Sequence, residues 1–188
     1  MLNTFYDKFI FTNGLKYKNN NFYLLNMPFV IAPSELFIGL LEVDDEDFKR
    51  KLYYATKDSV RKHLIKEFDL DFGFKGAKLV TFLETYFVAS GWGKIQTVDL
   101  NMGGKKAIVK VRNNPFSSHL HKKVSRPCDH FIRGILAGVF SRVFNAKVDC
   151  VEVHCAALGE QDCEFIIKKQ GEFNLENKHV RRQLELDI

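Results

Sequence analysis

Between Pro127 and Phe144 the apolar residues fall at helical spacing without a miss. Cys128, Phe131, Ile132, Ile135, Leu136, Val139, Phe140, Val143 and Phe144 follow the i, i+3, i+4, i+7 rule. Pro127 suits the start of this helix, where its missing N–H costs nothing. The other side carries Gly134, Ala137, Gly138 and Ser141. Small residues four apart let another backbone come close. A helix with one greasy face and one close-packing face belongs at the centre of a fold, so the rest of the chain has to cover it.

The covering elements read as hairpins and helices. Residues 14–32 form a hairpin turning at Asn19-Asn20-Asn21. A short helix follows from Pro33-Ser34-Glu35 to Leu41. Asp44, Asp45 and Glu46 suit the positive end of a longer helix reaching Glu67, with Phe48, Leu52, Ala55, Val60 and Leu64 as its inner stripe. Residues 74–90 form a third helix, apolar around much of its circumference and ended by Gly91-Trp92-Gly93. Ile95–Leu100 and Ala107–Val111 pair across Gly103-Gly104, and Lys147–Ala157 pairs with Cys163–Lys168 around Gly159. The expected class is α+β: an antiparallel sheet of hairpins packed against a helical layer. Residues 1–170 make one domain, and 171–188 a charged C-terminal tail, either a surface helix or partly disordered.

The 188 residues include 46% apolar residues and 18 Phe, enough for a large core. The N-terminus, Met1-Leu2-Asn3-Thr4-Phe5-Tyr6-Asp7-Lys8, lacks a basic stretch leading into an apolar run, so no secretory signal is expected. No segment is long and apolar enough for a membrane span. A cytoplasmic location is expected, where thiols stay reduced. The net charge of +5 is mild. From Leu100 to Cys128 seven basic residues and no acidic one occur: Lys105, Lys106, Lys110, Arg112, Lys122, Lys123 and Arg126. They read as a solvated strand face plus a loop, with an anion or acidic-partner site as the alternative. Only Phe116 is interleaved among them, so nucleic-acid binding is not expected.

The cysteines carry the chemistry. A hairpin centred on Gly159 sets Cys155 opposite Cys163, with Val153/Phe165 and Val151/Ile167 sharing their face. Opposed Cβ atoms lie roughly 4.5–5.5 Å apart, close enough for two thiolates to pinch one tetrahedral ion. Cys128, opening the central helix, is a third ligand candidate, because a helix N-terminus lowers a thiol's pKa. Buried, inert cysteines or a Cys155–Cys163 disulfide are the alternatives.

This region resembles the 4-vinyl-reductase domain family. Cys128, Phe131, Gly134, Leu136, Gly138, then Val151-Glu152-Val153-His154-Cys155, Gly159 and Cys163-Glu164-Phe165 carry the resemblance, over residues 127–167. It implies a fold shared with the ligand-binding domains of haem nitric-oxide sensors and with TRAPP tethering subunits. It also implies a structural zinc ion (Zn2+) held by Cys128, Glu152, Cys155 and Cys163, as in the sensor domains of aromatic-responsive activators. A neighbouring pocket would take the effector, and a homodimer is expected. Regular alternation objects to Glu152, which lies three residues before Cys155 and so points to the other face. Its part in the site demands a bulge or strong twist; Cys150 and His154 are its rivals.

The resemblance also brings the reduction of a vinyl group in bacteriochlorophyll synthesis. These residues show no dinucleotide fingerprint, ATPase or DNA-binding segment. A closed zinc with three thiolates and a carboxylate argues against hydrolysis; catalysis would need Glu152 to leave, with His154 or His130 as base. The expected function is therefore a zinc-containing sensor or carrier for an apolar or aromatic small molecule, with a pocket drawn from Phe82, Tyr86, Phe87, Trp92 and His119. A zinc-dependent or reductase-type enzyme and a dimeric adaptor using the Gly134/Gly138 face are the alternatives.

Overall fold

The structure is a computed structural model that describes residues 14–24, 27–64 and 73–184. Three short strands come first: β1 (Leu15–Lys18), β2 (Asn21–Leu24) and β3 (Met27–Phe29), a meander in the order β1-β2-β3. Asn19 and Asn20 sit at φ 51 and 62, left-handed values that a two-residue hairpin turn demands and asparagine tolerates. The single hairpin expected over 14–32 is therefore three strands. Helices α1 (Glu35–Leu41), α2 (Glu46–Ser59) and α3 (Ala77–Ala89) follow. Asp45 caps α2 by accepting the Phe48 N–H at 3.0 Å. A wider π turn, Val60–Leu64, extends α2; the expected continuation through 65–67 lies outside the described residues.

The main sheet is built from β4 (Lys94–Asn101), β5 (Lys106–Arg112), β6 (Val148–His154) and β7 (Cys163–Lys169), antiparallel, in the order β4-β5-β7-β6. Between β5 and β6 lie α4 (Pro115–Leu120), a helix with no counterpart in the expected elements, and the central α5 (His130–Val143). Ala107, Val109 and Val111 pair with Ile167, Phe165 and Cys163, and all six are buried on one face. The opposite face is more open. There Lys110 pairs with Glu164 at 3.3 Å, and Arg112 reaches Asp162 at 3.0 Å beside it. Part of the basic strip is thus neutralised by neighbouring strand residues.

The periodicity of α5 holds, and its glycine face is an internal contact. A Cβ on Gly134 would stand 2.7 Å from Thr56 Cβ and 2.8 Å from the Tyr53 carbonyl; one on Gly138 would stand 2.8 Å from the Lys57 carbonyl. Helix α2 therefore presents Tyr53, Thr56 and Lys57 to α5. The stripe expected from Phe48 to Leu64 is rotated accordingly: Tyr53 and Val60 are buried, whereas Ala55 is exposed. Close backbone approach selected the face, and apolar periodicity alone did not report it.

The segment expected as a charged tail contains α6 (Lys178–Leu184), with Gln183 and Leu184 buried. Its Gln183 side chain accepts the Glu152 N–H at 3.0 Å and donates to the Glu152 carbonyl at 2.9 Å. Strand β6 is at the sheet's edge, and α6 satisfies groups that an open edge leaves unpaired. Among the described residues no helix is long and apolar enough to cross a membrane.

Candidate functional site

Strand β6 carries one residue too many. Glu152 pairs with Phe165 and His154 with Glu164, so Val153 is the extra residue of a β-bulge. Below the bulge the register shifts by one: Cys150 faces Ile167, and Val151 faces Ile166, not the expected Ile167. The bulge turns Glu152 onto the face of Phe165 and Cys163. The result is a cluster in which ligand atoms of Asp129, Glu152, Cys155 and Cys163 all lie within 4.8 Å of one another.

Cys128 lies next to this group, its Sγ 3.8 Å from that of Cys155. It precedes α5, which starts at His130 with Asp129 as its N-cap. Its thiol is accordingly not activated. The hydrogen bond with Cys155 lowers its pKa, but burial and the charges of Asp129, Glu152 and Cys163 outweigh that, and the net shift is upward. Glu152 is pushed well above the usual carboxylate range, chiefly by burial and then by Asp129. Cys163 is also raised, first by its hydrogen bond with Cys155 and then by burial. These acids crowd together without a positive partner of their own.

The donor set fits a divalent cation. The oxygens Asp129 Oδ1 and Glu152 Oε1 are buried and have no hydrogen-bond partner, a costly arrangement unless something positive meets them. A tetrahedral zinc with Zn–S near ~2.3 Å sets sulfur atoms roughly 3.8 Å apart, the spacing of Cys128 and Cys155. All four cysteines are unbridged. Cys150 is buried away from the cluster beside Tyr53, and His154 is on the exposed side. Asp129 is the member that sequence reasoning missed; its only signal was adjacency to Cys128.

A second feature is a groove of about 370 Å³ bordered by Phe29, Ile31, Phe37, Trp92, Pro115 and Phe116. The Trp92 and Phe116 rings are 5.4 Å apart, and Phe37 is 5.9 Å from Phe116. Of the residues expected in a pocket, Trp92 lines this groove. Phe87 stands behind it at 6.3 Å between ring centroids. Tyr86 packs edge-on against Phe87 in the core, and Phe82 against Phe74. His119 is at the rim, 3.4 Å from Ser34.

Residues 107–169, which contain the bulge and the cluster, match the family model of the 4-vinyl-reductase domain. The Methanocaldococcus jannaschii protein MJ1642 is 32% identical over 121 residues, 63% of this chain and 69% of that protein. The chain belongs to the 4-vinyl-reductase domain family. A second M. jannaschii protein, MJ0150, is 24% identical over 117 residues, 62% of each chain. The fold of this 4-vinyl-reductase domain is also that of the phenol-responsive sensory domain of the transcription activator PoxR, with a TM-score of 0.73 over 96% of both chains at 11% identity.

Proposed function

We propose that this 4-vinyl-reductase domain is a small-molecule sensor or carrier module that holds an apolar or aromatic ligand in the Trp92–Phe116 groove and a structural zinc ion in the cysteine–carboxylate cluster. The observation that carries the reading is the pair of buried, unpartnered carboxylate oxygens set among three thiols. Glu152, Cys155, Cys163 and Cys128 are the residues that would hold the ion, which supplies positive charge to the cluster and cross-links β6, β7 and the start of α5. The groove supplies what apolar ligands need, aromatic walls with few polar groups. The likeness to a phenol-responsive sensory domain supports the same ligand class.

The test uses the purified chain. Metal analysis is expected to give one zinc per chain, and Cys155→Ser to abolish it. Titration with a series of alkylphenols is expected to change Trp92 emission saturably. Absence of zinc from every preparation sinks the metal half; linear, non-saturating responses across the series sink the ligand half.

A further inference from the structure

The cluster and the groove share one short element. Helix α4 faces two ways. Pro115 and Phe116 border the groove. The next residue, Ser117, is buried and turned to the cluster: its Oγ lies 3.2 Å from Cys163 Sγ and donates to Asp129 Oδ2 at 2.9 Å. Asn114 caps the helix, accepting the Phe116 N–H at 3.0 Å. With its Nδ2 it donates to Asp129 Oδ2 at 2.7 Å and approaches Cys163 Sγ at 3.7 Å. Just past the other end of α4, the Lys122 N–H donates to the Ala157 carbonyl at 3.0 Å, in the turn that follows Cys155. The groove's Phe116 is thereby tied at both ends to the segments that carry the cluster.

Asn114 is 3% exposed, Ser117 2% and Asp129 0%. Water does not compete for these hydrogen bonds, so each is worth more than at the surface. Groups that orient metal-ligating side chains tune the metal nearly as strongly as the ligands do. Any shift of Cys163 or Asp129 must also move Asn114 and Ser117, and Phe116 is bonded directly to Asn114 and adjacent to Ser117.

We propose that Asn114 and Ser117 are positioning residues of the cluster, and that through α4 they couple metal loading to occupation of the aromatic groove. This rests on the metal and ligand reading above and adds a regulation to it. The coupling is reciprocal: whatever factor zinc adds to ligand affinity, the ligand adds to zinc affinity. Zinc fixes the cluster side of α4 and preorganises Phe116, so the coupling is positive.

Trp92, the chain's single tryptophan, reports on the groove. Zinc affinity is measured by chelator competition with and without a saturating alkylphenol, and Trp92 emission before and after chelation. The expected result is an emission shift on chelation and a tightening of zinc by the alkylphenol, on the order of 5- to 100-fold. Ser117→Ala is expected to weaken zinc by at least about tenfold and to bring the coupling factor close to one. Ser118→Ala, on the exposed side of α4, keeps both. Zinc binding that ignores the alkylphenol, with Trp92 emission unchanged by chelation, overturns the coupling and leaves the metal reading intact. Zinc affinity unchanged in Ser117→Ala overturns the positioning role. Failure of the wild-type chain to bind zinc removes both this proposal and the metal reading, and metal analysis tells that case apart.

Discussion

Val153 shows how much one residue can decide. Without a bulge, Glu152 would face away from Cys155, and the three-residue spacing would count against a shared site. The extra residue reverses that. Sequence spacing made the objection visible but could not resolve it, because a bulge is set by the partner strand and by what packs beneath. Tyr54 shows a second effect invisible in sequence. Its hydroxyl donates to the Leu184 carbonyl at 2.7 Å, and burial, then the Asp149 carboxylate, pushes its pKa from 10.0 up to about 12. A folded-state pKa above the unfolded one means folding favours the protonated phenol. The contribution is complete below pH 10 and is lost as pH rises toward 12. The fall in melting temperature between pH 10 and pH 12 is therefore expected to be shallower in Tyr54→Phe than in the wild type. Parallel curves would refute this account.

At the scale of elements, α5 was readable because its period is local, whereas its partners were not. Arg133 interrupts the greasy pattern yet is 1% exposed. It stacks 4.3 Å from the Tyr53 ring centroid, and its guanidinium donates to the Cys150 carbonyl at 3.1 Å and the Gln183 carbonyl at 2.7 Å. Helix α6 was underestimated for the same reason: it docks by polar groups as much as by apolar area, and hydrophobic patterning is blind to that. Truncation after Asn177 is expected to lower the melting temperature and to speed hydrogen exchange at the Glu152 amide. Gln183→Ala alone should cost about 1–3 kcal/mol, the usual penalty for leaving buried backbone groups unpaired. Glu152 exchange unchanged by the truncation would show that α6 does not protect the edge.

For the whole molecule, the proposed ion joins the start of α5 to β6 and β7, so its removal should be felt globally. Structural zinc in small peptides contributes roughly 10–16 kcal/mol of folding energy. A domain of this size loses roughly 2–4 °C of melting temperature per kcal/mol. Chelation is expected to lower the melting temperature by at least about 10 °C, with Cys128→Ser and Cys163→Ser mimicking it. Cys150→Ala should retain zinc; its loss there would overturn the choice of ligands.

The sequence by itself determined the α+β class, the central helix, the last two hairpins and the family resemblance. All of these depend on residues near one another along the chain: helical period, strand alternation, turn-forming Asn and Gly. Only tertiary structure decided which face of α2 meets Gly134 and Gly138, that Asp129 joins the cysteine cluster, that Trp92 meets Phe37 and Phe116 at a groove, and that α6 closes the edge at Glu152. Those outcomes depend on the approach of backbones and buried polar groups from distant segments, whose geometry no local pattern encodes.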